Sequence, residues 1–187
     1  MQYLDEISEE ALEIGSVNTI AKKNGKIIGY NTDYFGFYNE LLYYNVNIKG
    51  KNCFILGTGG ASLAVKKALK DLGGKVLFVS RTPKNDETIS YQDLKNYSLD
   101  IIVNTTPVGM YPNVDASPLD KETVCLADKV IDIIFNPRKT KLLKDACSEM
   151  NGLFMLVGQA VKAEEIWQNK SYDLSITELL KRIEMMI

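Results

Sequence analysis

Apolar positions in this chain fall into two alternating patterns from residue 52 onward. Short runs of strand length lie at 52–56, 75–79, 100–104, 129–134 and 153–155. Between them, apolar residues recur at helical spacing over about 60–72, 91–97, 139–150, 158–168 and 175–186. Strands that are nearly continuous in apolar residues need cover on both faces. Their alternation with helices predicts an α/β fold, a doubly wound parallel sheet with helices on both sides. The loop 105–119, with Pro107, Pro112 and Pro118, interrupts this rhythm once.

Residues 1–31 follow a different rule. Ser8 and the acids after it predict a short helix over 8–14, stopped by Gly15. The segments 16–22 and 26–30 flank Asn24-Gly25, a pair suited to a type I′ hairpin turn. Two strands and one helical turn cannot bury a core alone. Their apolar face is expected against the rest of the chain or against another subunit, as in a homodimer. Thr32 is expected to cap the next helix, whose apolar face carries Phe35, Tyr38, Leu41 and Leu42. The expected division is therefore 1–31 and 32–187.

Composition narrows the chemistry more than the fold. The net charge of −2 offers no basic field for nucleic acid or an acidic membrane. No apolar run is long enough to span a bilayer, and residues 1–6 lack signal-peptide character. Cys53, Cys125 and Cys147 are odd in number and unpatterned, so they read as reduced thiols in a cytoplasmic protein. Histidine is absent. Acid–base chemistry must then use carboxylates, Lys or Tyr, and no metal site is expected.

The stretch 55–62, Ile-Leu-Gly-Thr-Gly-Gly-Ala-Ser, joins the first long strand to a helix. Backbone amides at such a helix start favour an anion, typically a dinucleotide pyrophosphate. Gly57 permits the tight turn, Gly59 allows close approach, and Thr58, Gly60 and Ala61 complete the cradle. Ser62 replaces the last glycine of the G-x-G-x-x-G pattern, and a plain βα turn fits the same residues. After the second strand come Ser80, Arg81, Thr82 and Lys84, where an NAD-binding protein places an acid. Basic residues there suit the 2′-phosphate of NADP. Asp33 in a first helical turn, and Gln159 beside Gly158 at an expected helix start, carry no functional signal by themselves.

Seven segments together resemble shikimate dehydrogenase. They begin at Gly15, Gly29, Gly57, Ser80, Asn104, Phe135 and Met155, and read GSVNT, GYNTD, GTGGA, SRT, NTTPVGM, FNP and MLVGQA. Their order and spacing agree with the family from about Gly15 to Trp167. The resemblance implies a Rossmann-like NADP domain and reduction of 3-dehydroshikimate to shikimate, in aromatic amino acid biosynthesis. It makes Asp33 the aspartate of a catalytic Lys–Asp pair. Asn18, Thr32 and Gln159 become substrate-side residues. Gly57, Thr58, Gly59, Gly60 and Ala61 hold the pyrophosphate, and Ser80, Arg81, Thr82 and Lys84 the 2′-phosphate region. Thr106, Met110, Ile133, Gly152 and Met155 line the nicotinamide end.

The same resemblance places the family's Ser-x-Ser motif and catalytic Lys before residue 1. Lys22, Lys23 and Lys26 flank the hairpin turn and do not replace that Lys. The expectation is a truncated chain, with 1–31 as a remnant of a substrate domain, that binds NADP and is inactive alone. Phe135 stands where the family usually has Tyr, and Ser80 where Asn is frequent. A quinate or aminoshikimate dehydrogenase and a non-catalytic NADP-binding module are the alternatives.

Overall fold

The computed structural model describes residues 3–172 and 176–186. Strand β1 (Glu6–Ile7) and helix α1 (Glu9–Ile14) precede a hairpin of β2 (Thr19–Lys23) and β3 (Lys26–Tyr30). Helix α2 (Asp33–Tyr43) leads to β4 (Asn52–Leu56), α3 (Gly60–Asp71), β5 (Lys75–Val79) and β6 (Thr88–Ile89). A 3-10 turn at Asp93–Asn96 precedes β7 (Ile101–Asn104), α4 (Lys121–Cys125), β8 (Lys129–Asp132) and α5 (Lys141–Asp145). Strand β9 (Glu149–Asn151) and helices α6 (Leu153–Gln168) and α7 (Ile176–Glu184) complete the order.

Six strands form one wholly parallel sheet in the order β6-β5-β4-β7-β8-β9. Alternate residues of β4 serve opposite faces. Cys53 and Ile55 pack with Phe37, Leu41, Val65 and Leu69 from α2 and α3. Phe54 and Leu56 pack with Leu94, Val124, Leu142 and Leu143 on the other side. Each such side chain, fully buried, contributes about 1.5–3 kcal/mol, which is why both faces need helices. The chain winds outward from β4 through β5 to β6, then returns to β7 on the other flank. That reversal opens a crevice beyond the carboxyl ends of β4 and β7, where ligands of such folds sit.

Several boundaries differ from expectation. Residues 153–155 are not a strand but the first turn of α6, and Gly158 and Gln159 therefore lie inside that helix. The sixth strand is Glu149–Asn151, so the helix expected over 139–150 shrinks to Lys141–Asp145. β8 stops at Asp132 rather than 134. The helix expected near 91–97 is only a 3-10 turn. Thr32 begins α2 without capping it. Asn31 Oδ1 instead accepts from the Tyr34 amide at 3.1 Å. Of the helix expected over 175–186, residue 175 lies outside the described residues.

The N-terminal segment forms a second, three-stranded sheet in the order β1-β3-β2. Asn24 (φ 50°) and Gly25 (φ 81°) make the type I′ turn of its hairpin. This segment rests on the large unit. Ala11 and Ile14 of α1 are buried, and Glu13 pairs with Lys67 of α3 at 3.3 Å. The Trp167 indole of α6 donates to the Ile20 carbonyl at 2.9 Å. No helix among the described residues is long and apolar enough to cross a membrane.

Candidate active site at the carboxyl edge of the large sheet

The turn after β4 is built for close approach. Gly57 adopts φ +101°, and a Cβ there would meet Thr106 at 3.0 Å. Only glycine satisfies both conditions. Gly59 differs: it is extended (φ −84°, ψ −176°), and a Cβ would meet nothing within 4 Å. The space it guards is open. Gly59 is the N-cap of α3 and supplies no side-chain cap, so the amides opening that helix at Gly60 and Ala61 lack one. Their partial positive charge faces the crevice mouth.

Three clefts follow one another along this edge. The central one, about 590 Å³, is lined by Gly57, Thr58, Gly59, Arg81, Tyr91 and the loop 105–108. A cleft of about 320 Å³ beyond β5 is lined by Thr58, Ser80, Thr82 and Lys84. The third, about 420 Å³ beyond β7 and β8, is lined by Thr106, Met110, Ile133 and Phe135. The basic turn thus lies at one end and the loops after β7 and β8 at the other. Gly152 and Met155 line none of the three and are buried behind them. A Cβ on Gly152 would sit 2.1 Å from the Ile133 carbonyl oxygen. Met155 joins the core beside Phe37 and Leu41.

A polar cluster stands where α2 begins. Asn18 Oδ1 accepts from the Thr32 amide at 2.9 Å and from the Thr19 hydroxyl at 3.0 Å. Its Nδ2 donates to Thr32 Oγ1 at 3.1 Å, and the Thr32 hydroxyl donates to Gln159 Oε1 at 3.3 Å. Residues 127 positions apart in sequence are thereby joined. Asp33, half-buried at the first position of α2, adjoins this cluster. Burial raises its carboxyl above the usual range, and a hydrogen bond from Asn18 opposes the rise. Among the described residues, no lysine is one of the groups acting on it. Ser16 links the cluster to the glycine turn, since a Cβ on Gly60 would lie 3.0 Å from Ser16 Oγ.

No family model matches the chain. Individual proteins do. The shikimate dehydrogenase (NADP(+)) of Clostridium beijerinckii is 43% identical over 196 residues, covering 98% of this chain and 73% of that protein. This chain belongs to the shikimate dehydrogenase family. The crystal structure of shikimate dehydrogenase 1 from Peptoclostridium difficile is 43% identical, with a TM-score of 0.93 over 100% of this chain and 73% of that one. The shikimate 5-dehydrogenase of Thermus thermophilus was solved in complex with NADP(H) and shikimate. It is 31% identical, with a TM-score of 0.82 over 97% of this chain and 73% of that one.

One part of this shikimate dehydrogenase fold escaped the sequence reading. Asn104, Asp132 and Thr140 are fully buried polar residues beneath the third cleft. Asp132 accepts from Asn104 Nδ2 at 3.0 Å, the Ile134 amide at 3.1 Å and the Thr140 hydroxyl at 2.7 Å. Asn104 Oδ1 in turn accepts from the Thr106 amide and hydroxyl at 3.0 and 2.7 Å. Burial pushes the Asp132 carboxyl up to about 6 against the pull of these three donors. An acid closing an otherwise apolar strand is the signal that would have found it, because a buried carboxylate demands partners.

Proposed function

We propose that this chain binds NADP along the three clefts and supplies the aspartate side of the shikimate dehydrogenase reaction, reduction of 3-dehydroshikimate to shikimate. The observation that carries the reading is the open space at Gly59, set between Arg81 and the Asp33 cluster. Gly57, Thr58 and Gly59, with the α3 amides at Gly60 and Ala61, would hold the pyrophosphate. Arg81, Ser80, Thr82 and Lys84 would hold the 2′-phosphate. Thr106, Met110 and Ile133 would border the nicotinamide, with Gly152 and Met155 supporting them from behind. When bound, the cofactor supplies the hydride.

The remaining steps fall to side chains of this chain. Asn18, Thr32 and Gln159 offer amide and hydroxyl groups to the hydroxyls of shikimate. Asp33, held by Asn18, orients the substrate and exchanges a proton with the reacting hydroxyl. A carboxyl lifted by burial suits proton exchange nearer neutrality. We read residues 1–31 as part of the substrate side and residues 32–187 as the cofactor domain.

No lysine acts on Asp33 among the described residues, and this favours a second reading of the 187-residue chain, as an NADP-binding module without turnover. A spectrophotometric assay with shikimate and NADP tests it. The expected result is no sustained NADPH formation by the purified chain, and a steady shikimate-dependent rise would overturn it. Activity on quinate instead of shikimate would replace the substrate assignment. A homodimer in the cytoplasm belongs to the same proposal, and analytical ultracentrifugation checks the association state.

A further inference from the structure

We propose that Asp132 is a positioning residue: through Asn104 and the Ile134 amide it holds the two loops that wall the nicotinamide half of the cofactor site. The proposal rests on the NADP reading above. Asp132 is completely buried and lies beneath the cleft rather than in it. Its influence must pass through the groups it holds.

The hydrogen-bond valences leave little freedom. Asn104 Oδ1 is committed to the amide and hydroxyl of Thr106, so Asn104 Nδ2 must find an acceptor. The nearer acceptor is Asp132 Oδ1 at 3.0 Å, which also receives the Ile134 amide, with the Val108 carbonyl at 3.5 Å as the second. One carboxylate oxygen therefore ties the loop after β7 to the loop after β8. The other oxygen takes the Thr140 hydroxyl, and Thr140 Oγ1 accepts from the Leu143 amide at 3.4 Å at the start of α5. Thr106, Ile133 and Ile134 all line the third cleft.

The basic turn takes no part in this web, although Arg81 and Thr106 line the same central cleft. Arg81, Ser80, Thr82 and Lys84 follow β5, and none of the three donors to Asp132 belongs to β5 or its turn. Loss of the web should loosen the nicotinamide walls and leave the 2′-phosphate end intact. A role confined to global stability would not separate the two halves of the cofactor.

Calorimetric titration of the whole chain with NADPH and, separately, with adenosine 2′,5′-bisphosphate reads that separation. Asp132→Leu and Asn104→Ala should each weaken NADPH by about tenfold or more, while the bisphosphate stays within about twofold. Asp132→Asn keeps an oxygen for Asn104 and Ile134, and should restore NADPH affinity to within about threefold of the parent. If Asp132→Leu does not fold, Asn104→Ala against Asp132→Asn gives the same comparison. Parallel loss of both ligands in Asn104→Ala, or no change in either, would overturn the proposal while leaving the cofactor reading intact. A parent chain that binds neither ligand would overturn the cofactor reading and this proposal with it.

Discussion

Glu40 is fully buried on α2, and neither carboxylate oxygen has a hydrogen-bond partner among the described residues. The Met155 amide of α6 opposes the resulting rise in pKa without satisfying either oxygen, and burial holds the group well above the usual carboxylate range. The sign follows from linkage. A carboxyl raised in the folded state contributes stability below its ordinary value of 4.5, and that contribution is lost as pH rises through the folded value. Glu40→Met removes the cost and keeps the volume. It should stabilise the chain by about 1–3 kcal/mol at pH 8, with a smaller gain at pH 4.5, as read by urea titration at both. Equal gains at the two pH values would contradict a titrating Glu40. Gly59 gives the complementary case, in which fold and function separate. Its extended backbone and the empty space around it tolerate a methyl group. Gly59→Ala should leave the unfolding free energy within about 1 kcal/mol and weaken NADPH by about tenfold or more. A large loss of stability with unchanged affinity would contradict the cradle.

At the scale of elements, α2 and α6 set the substrate side. α2 begins at Asp33, α6 carries Gln159, and the two helices cross closely at glycine. A Cβ on Gly36 would lie 2.5 Å from the Met155 carbonyl oxygen, and one on Gly158 would lie 3.1 Å from the Gly36 Cα. Gly36→Ala gains about 1 kcal/mol in helix propensity, but the contact is with backbone that cannot swing aside. The clash should win, for a net loss of about 1–3 kcal/mol in a denaturant titration. An alanine variant as stable as the parent would show that the helices move apart freely. This crossing could not be read from sequence, because Leu153 to Val157 are all apolar and look alike as strand or buried helix. The Leu153 amide donates to Asn151 Oδ1 at 3.1 Å, a local cap that decides for helix. β9 was hidden for the opposite reason, since Glu149 and Asn151 leave Met150 as its one apolar residue. β4, β5 and β7 were legible because unbroken apolar runs have few alternatives in a chain that alternates with helices. The glycine and basic turns were legible by position after those strands. Asp132 was not, because its side-chain partners Asn104 and Thr140 come from other elements, and the acid alone in an apolar run does not name them.

The whole molecule joins a small N-terminal sheet to the large parallel unit through Glu13–Lys67, Trp167–Ile20 and the contact of Ser16 with Gly60. Trp167 is the single tryptophan and donates to the Ile20 backbone, so its emission reports whether the small sheet stays attached. In urea, the red shift of Trp167 and the loss of secondary structure should follow one transition. A tryptophan shift completed well before the loss of secondary structure would mean that residues 3–31 detach independently. That attachment matters because it carries Asn18 and Thr19 to the edge where Arg81 and Gly59 face the crevice. The central claim concerns what that edge holds. Calorimetric titration of the purified chain with NADPH and with NADH tests it most directly. Saturable NADPH binding, about tenfold or more tighter than NADH, is the predicted result, given the charge-assisted contacts offered to a 2′-phosphate. Equal or tighter binding of NADH, or no saturable binding of NADPH, would contradict it.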